Sequence, residues 1–138
     1  MKHLFSIIFG LITFCQLQAQ SWTADNGNGT FTNPLFYDEF TDPDLIRVGT
    51  DFYMVASSMH AMPGLPLLRS KDLVNWEFVT YIFDRLDLGP DFHLEGNKGI
   101  YGNGIWAPAI RYHKGTFYVF VNVNDHGLQV FSAKGPTG

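Results

Sequence analysis

Residues 43–55 read PDLIRVGTDFYMV, and residues 108–120 read PAIRYHKGTFYVF. With one small gap, the two segments align on a proline, an Ile-Arg pair, a glycine-containing turn and a Phe-Tyr pair. Each predicts a β-hairpin, because runs of β-branched and aromatic residues flank a short turn. The repeat continues downstream at the same period of about 65 residues, where Arg69-Ser70-Lys71 meets Ser132-Ala133-Lys134.

The rest of the chain also carries strand signals. They fall on residues 65–68, 76–82 and 127–133, and no helical period follows residue 20. We therefore predict an all-β protein made of small antiparallel sheets, each of which has to bury its faces on a neighbour. Radial stacking in a β-propeller achieves this and protects the strand edges. A β-sandwich with two similar hairpins is the alternative.

Composition narrows the classes of function. The net charge of the 138 residues is −4, and no basic stripe appears, which argues against nucleic-acid binding. The five histidines are scattered and form no metal-binding motif. Aromatic residues make up 16% of the chain, which suits half-buried strands and also suits stacking on sugars. An aromatic core explains this share equally well.

The first residues predict export. Residues 1–19 have a basic start, an apolar run from Leu4 to Cys15 and a small residue for cleavage at Ala19, as a signal peptide has. The run is too short for a membrane span, and no second one follows. Phe14 stands where a lipoprotein signal has a small residue, which disfavours lipid attachment to Cys15. We expect a periplasmic or extracellular protein, with residues 20–32 as a flexible lead-in.

The first hairpin is preceded by two carboxylates, Asp42 and Asp44, with Pro43 between them. Pro43 fixes its own φ and is expected to restrict Asp42 to extended geometry. Glycosidases use paired carboxyl groups for acid–base chemistry. An Asp-Pro-Asp run is also a common turn signal.

Three sequence blocks resemble one known family. They are DPDLIRVGTDFY at residues 42–53, PGLPLLRSKDLVNW at residues 63–76, and GIWAP with the following IRYH and GTFY at residues 104–118. In this order and spacing they resemble glycoside hydrolase family 43, in its β-xylosidase and α-L-arabinofuranosidase branch. The resemblance implies a five-bladed β-propeller, of which residues 33–138 supply about the first two blades. It also implies inverting hydrolysis of xylose- or arabinose-containing plant cell-wall oligosaccharide or polysaccharide.

The resemblance also implies roles for individual residues. Asp42 matches the general base, and Trp106 matches a tryptophan that lines the sugar pocket. Met59 and His60 fall in a substrate-facing loop, where Met59 replaces an aromatic residue. Asp44 is expected to be a turn or capping group. Blade packing remains the alternative for Trp106, and a solvated loop position the alternative for His60.

The family's other two carboxylates are expected beyond Gly138. These are the general acid, a glutamate, and an aspartate that tunes the pKa of that acid. We therefore expect the 138-residue polypeptide alone to be inactive and to hold no cofactor. The resemblance also implies that a complete propeller can hold a metal ion, often calcium, in its central channel, with the ligating histidine outside these residues. An endo-arabinanase and a non-catalytic carbohydrate-binding propeller are the alternative functions.

Overall fold

The computed structural model describes residues 23–59, 62–93, 96–97, 99 and 104–138. In this part of the chain, nearly all regular structure is β. The single helical element is a 3₁₀ turn at Pro90–His93. The strands are β1 (Asp44–Val48), β2 (Asp51–Val55), β3 (Gly64–Ser70), β4 (Trp76–Phe83), β5 (Ile105–His113), β6 (Thr116–Val123) and β7 (Gly127–Ala133). The prediction of an all-β chain is confirmed, as are the positions of the predicted strands within one or two residues.

The strands form two antiparallel sheets, one in the order β1-β2-β3-β4 and the other in the order β5-β6-β7. Within each sheet, every strand pairs with its neighbours in sequence, as consecutive strands with short connections usually do. The turn between β5 and β6 consists of Lys114 and Gly115, both at positive φ (46° and 80°). A positive φ at both central residues is typical of the turns that match the twist of a hairpin.

The sequence repeat corresponds to the two sheets. Its first copy forms β1 and β2, and its second copy forms β5 and β6. The downstream match holds as well, since Arg69 pairs with Tyr53 in the first sheet and Ser132 pairs with Tyr118 in the second. The repeat therefore describes one structural unit that occurs twice.

The hydrophobic core lies between the two sheets. The most deeply buried side chains come from both sheets: Val55, Leu65, Ile105, Ile110, Val121 and Val123. Aromatic contacts also cross the interface, with ring centroids 5.1 Å apart both for Tyr53 with Phe117 and for Phe83 with Phe131. Burying such a side chain contributes about 1.5–3 kcal/mol, so the two sheets stabilise each other.

Close packing explains a glycine at the start of β3. A Cβ atom on Gly64 would lie 2.3 Å from two ring atoms of Phe83. Such a distance is far inside van der Waals contact, so any side chain here would displace Phe83 from its stack on Phe131. Gly64 is therefore needed because its cross-strand neighbour Phe83 covers it within the first sheet.

The strands β1 and β5 lie next to each other at the edges of their sheets without pairing as strands. Asp44 joins them: its Oδ2 accepts hydrogen bonds from the backbone N–H of Ile110 at 2.8 Å and from Nη1 of Arg111 at 2.5 Å. The prediction that Asp44 is a turn or capping group is therefore wrong. Its carboxylate satisfies an outward-facing amide of an edge strand in the other sheet.

The segment before the first strand has local structure where it is described. Asp25 and Phe31 form an isolated β-bridge, and the Nδ2 of Asn75 donates to Asp25 Oδ2 at 2.9 Å. The flexibility that its composition indicates stays a prediction. The predicted signal peptide lies outside the described residues. Among the residues that are described, no helix has the length and apolar character needed to cross a membrane.

The turn between β3 and β4 depends on ionised Asp72. Its Oδ1 accepts from the backbone N–H of Val74 at 2.9 Å and of Asn75 at 2.8 Å, and its Oδ2 accepts from the side chain of Asn75 at 2.9 Å. The side-chain bond from Asn75, followed by the two backbone bonds, holds the pKa of Asp72 well below its usual 3.8.

This lowered pKa predicts a dependence of stability on pH. The folded state favours the ionised carboxylate, so the contribution of Asp72 is present above about pH 4 and is lost as the pH falls towards its folded pKa. We expect Asp72→Asn to flatten the fall of the thermal midpoint between pH 4 and about pH 2. The difference should be at most about 1 kcal/mol, because the group is exposed to solvent. Parallel curves for the two proteins over that range would contradict the assignment.

Candidate active site

Asp42 stands at the end of the loop that leads into β1. Its backbone has a φ of 48°, in the left-handed region, so the predicted extended geometry is wrong. Hydrogen bonds from Ser57 to Asp42 and to the carbonyl of Thr41 hold this conformation. The side chain of Asp42 is exposed, and its Oδ2 accepts from Ser57 Oγ at 3.0 Å. The first residue of β1, Asp44, pairs with the last residue of β2, Val55, so β2 ends beside Asp42. Asp42 is thus presented where the edge strands β1 and β5 begin.

Ser57 connects Asp42 to the second sheet. It follows β2, is 4% exposed, and its Oγ also accepts a hydrogen bond from the backbone N–H of Ala107 at 2.8 Å. The Ser57 backbone N–H donates to the carbonyl of Thr41 at 2.9 Å. The chain on either side of Asp42 is therefore fixed to the strand that carries Ala107.

Trp106 is the second residue of β5, directly before Ala107. Its side chain is 39% exposed, although Ile105 before it is fully buried in the interface. The pairing with β6 shifts between Trp106 and Ala109, and Ala107 has a φ of 46°. Such a β-bulge redirects a side chain, and bulges are common beside active sites. The residue after Trp106 is Ala107, and its backbone N–H is connected through the Ser57 hydroxyl to the carboxylate of Asp42.

Met59 reaches the same end of the molecule by another route. It forms an antiparallel bridge with Ile105, with reciprocal N–H to carbonyl hydrogen bonds of 3.1 Å. Its side chain is half-buried. Three of the four residues predicted for the site, Asp42, Met59 and Trp106, are therefore brought together. The fourth, His60, lies outside the described residues.

Three non-glycine residues of this region have a positive φ, as do Leu65, Leu73, Asn97, Lys114 and Asp125 elsewhere. Asp42, Met59 and Ala107 all have φ between 46° and 55°, a range that non-glycine residues adopt at a cost. Strain of this kind persists where the surrounding structure fixes it, and it is concentrated at functional sites. Here the hydrogen bonds of Ser57 and the Met59–Ile105 bridge hold the strained positions in place.

A cavity of about 480 Å³ opens beside Ser57 and Met59. Asp38, Glu39 and Thr41 also line it, but Asp42 and Trp106 do not. Another cavity, of about 250 Å³, lies between Ile82, Phe131 and the last residues, and is lined by none of the predicted site residues. We take Asp42 and Trp106 as the candidate site because a carboxylate and an exposed indole are groups that could act on a sugar, whereas both cavities are open clefts between packed elements.

The residues present do not fit a calcium site. Among the described positions, no three His, Cys, Asp or Glu side chains are grouped closely enough to hold a metal ion. Asp44, the acidic residue nearest to Asp42 in sequence, is engaged by Ile110 and Arg111.

Sequence reasoning missed Ser57 and Ala107. Ser57 and Ser70 are the buried polar residues of the described part of the chain. The sequence signal for Ser57 was a hydroxyl residue shortly after a strand, at the end where Asp42 lies. The bulge at Ala107 had no such signal, except that Pro108 interrupts the predicted strand.

The comparisons with known proteins agree on one family. The profile of the family described as "Glycosyl hydrolases family 43" matches residues 31–138. A β-xylosidase of Formosa agariphila is 39% identical over 117 residues, which are 85% of this chain and 19% of that protein. A non-reducing-end α-L-arabinofuranosidase of Bacteroides ovatus is 42% identical over 113 residues, which are 79% of this chain and 21% of that protein.

Solved structures show the same likeness. A bifunctional family 43 enzyme of Bacteroides eggerthii matches with a TM-score of 0.70 and 37% identity, over 77% of this chain and 15% of that one. A xylan β-1,4-xylosidase of Bacillus halodurans matches with a TM-score of 0.63 and 32% identity, over 77% and 21%. The chain spans about a fifth of the length of the curated relatives it matches. By the family profile, the relatives and the fold, this chain belongs to glycosyl hydrolase family 43.

Proposed function

We propose that the chain supplies the general base and part of the sugar pocket of an inverting glycoside hydrolase that acts on β-xylosides or α-L-arabinofuranosides. One observation carries the proposal: the carboxylate of Asp42 is linked through Ser57 and the Ala107 amide to the residue next to an exposed tryptophan. Inverting glycoside hydrolysis needs a carboxylate that takes a proton from water. An exposed aromatic ring on the neighbouring strand offers a surface on which a sugar can pack.

The reaction is a single displacement. Ionised Asp42 takes a proton from a water molecule, whose oxygen forms a bond to the anomeric carbon from the face opposite the leaving group. The bond from that carbon to the glycosidic oxygen breaks, and a protonated carboxylic acid donates its proton to this oxygen. Inverting enzymes hold the two carboxyl groups roughly 6.5–9.5 Å apart, which leaves space for the water.

We further propose that the acid, and the aspartate that tunes it, come from residues outside these 138. Of the described glutamates, Glu77 is paired with Arg69, and Glu39 lines a cavity that excludes Asp42. We name the gene product that includes the additional residues the complete enzyme. Its sheets would form a five-bladed propeller, with β1–β4 as the first blade and β5–β7 within the second. Exposed apolar side chains on β7, Leu128 and Val130, suit a further strand or sheet.

The substrate class is proposed from the relatives. They are named as xylosidases and arabinofuranosidases, and the two sugars differ in ring size and in stereochemistry at one carbon. The predicted signal peptide fits a periplasmic or extracellular enzyme that meets plant cell-wall oligosaccharides. A calcium ion in the central channel belongs to this proposal only for the complete enzyme, since no three His, Cys, Asp or Glu side chains of the described residues are grouped to hold one.

The proposal is tested with 4-nitrophenyl β-D-xyloside and 4-nitrophenyl α-L-arabinofuranoside. We expect the complete enzyme to release 4-nitrophenol from at least one of them. Proton NMR of the first product should show the anomer opposite in configuration to the substrate. The 138-residue polypeptide should release none above background, because it contains no acid in position. Retention of configuration, or turnover by the short polypeptide, would contradict the proposal.

A further inference from the structure

We propose that Ser57 is a positioning residue that aims the carboxylate of Asp42 at the water it activates. This inference rests on the proposed role of Asp42 as the general base. Ser57 touches neither water nor sugar in the proposed reaction, and acts only through the carboxylate that it bonds.

The direction of the hydrogen bonds at Ser57 follows from the single proton of its hydroxyl group. Its hydroxyl oxygen accepts from the backbone N–H of Ala107, which can only donate. The single hydroxyl proton is therefore available for an acceptor, and Asp42 Oδ2 lies 3.0 Å away. Because Ser57 is 4% exposed, water does not compete readily for either bond. The relay runs from the Ala107 amide through the hydroxyl to Oδ2.

The two carboxylate oxygens of Asp42 differ in their hydrogen bonding. Oδ2 is held by Ser57, whereas no described residue donates a hydrogen bond to Oδ1. We therefore assign proton abstraction to Oδ1. An exposed aspartate without such a bond would rotate about its side-chain torsions, and a base displaced by about 1 Å can lose on the order of 100-fold in rate.

The same hydroxyl also places Asp42 relative to the second sheet. Ala107 sits in the bulge next to Trp106, so one pair of hydrogen bonds joins the base to the residue that follows the tryptophan. The backbone N–H of Ser57 bonds Thr41, directly before Asp42, which fixes the loop that carries the base. The position of the Asp42 carboxylate therefore depends on how the two sheets pack against each other.

Ser70 provides a matched control within the same sheet. It is 3% exposed, and its hydroxyl accepts from the N–H groups of Asp72 and Leu73 and donates to Asp72. These bonds stay within the turn at the opposite end of the strands. Removing either serine hydroxyl costs buried hydrogen bonds, but only the loss at Ser57 reaches Asp42.

The test compares variants of the complete enzyme on an aryl glycoside. We expect Ser57→Ala to lower kcat on the order of 10- to 100-fold with KM within about twofold, because the orientation of the base matters in the transition state. Ser70→Ala should keep the wild-type kcat while lowering the thermal midpoint. The side chains introduced by Ser57→Thr and Ser57→Val have the same shape as each other, but only threonine keeps the hydroxyl. The threonine variant should therefore have a kcat about tenfold or more above that of the valine variant. This pair tests the inference even if Ser57→Ala does not fold.

A double-mutant cycle separates positioning from structure. Because Ser57 acts through the carboxylate, Ser57→Ala should slow the Asp42→Asn variant by less than about twofold. Equal losses in both backgrounds, a wild-type kcat for Ser57→Ala, or equal rates for the threonine and valine variants would overturn the inference and leave the role of Asp42 standing. Wild-type activity of Asp42→Asn would overturn both proposals.

Discussion

Asp42→Asn is expected to lower the kcat of the complete enzyme by about 10³-fold, the middle of the range for removal of a general base. The substitution should leave the site otherwise intact. Asparagine tolerates the φ of 48° that Asp42 adopts, and its carbonyl oxygen can still accept the hydrogen bond from Ser57. The loss should therefore appear in kcat and not in KM. Release of 4-nitrophenol under saturating substrate measures it.

Asp72→Asn is the control for this prediction. It is the same chemical change at an exposed aspartate at the opposite end of the first sheet, and it disturbs only its own turn. We expect its kcat to equal that of the wild type at neutral pH. A comparable loss in both variants would show that the effect is a general loss of stability, and a loss below tenfold for Asp42→Asn would remove the residue from its proposed role.

Asp44→Ala is expected to loosen the first sheet from the second. It removes a charged acceptor from the buried amide of Ile110 and from Arg111, which together should cost about 3 kcal/mol of local stability. Hydrogen exchange at the Ile110 amide should then be roughly 100-fold faster, because this free energy separates the closed from the open state.

Asp44→Asn is the matched variant for the contact of Asp44 with Ile110 and Arg111. It keeps an oxygen that can accept from Ile110 but loses the charge that attracts Arg111, so exchange should be faster by about tenfold only. If alanine and asparagine at position 44 left the exchange of Ile110 at the wild-type rate, the carboxylate would not be what joins β1 to β5.

Local patterns in the sequence predicted the strands well. Residues 43–55 and 108–120 each carry their own hairpin signals, and their registers depend on turns only two residues long. The resemblance placed Asp42, Met59 and Trp106 in one site, and the structure brings these three residues together. Their roles as base and sugar-binding residues stay predictions.

What the sequence could not provide depends on contacts between the sheets. Asp44 was interpreted as a turn residue because its neighbours in sequence suggest a turn, yet its partner Ile110 lies 66 residues further along the chain. The backbone amide that donates to Ser57 belongs to Ala107, 50 residues away, where a bulge interrupts the pairing of β5 with β6. Neither partner follows from periodicity, since both depend on how two edge strands lie against each other.

A structure of the complete Asp42→Asn enzyme with an unhydrolysed xylo- or arabino-oligosaccharide bound would test the central claim most directly. We predict a sugar ring packed on the indole of Trp106. One water should lie within about 3 Å of the substituted side chain at position 42 and on the face of the anomeric carbon opposite the glycosidic oxygen. A sugar bound in another cleft, or a side chain at position 42 turned away from the sugar that Trp106 holds, would contradict the account.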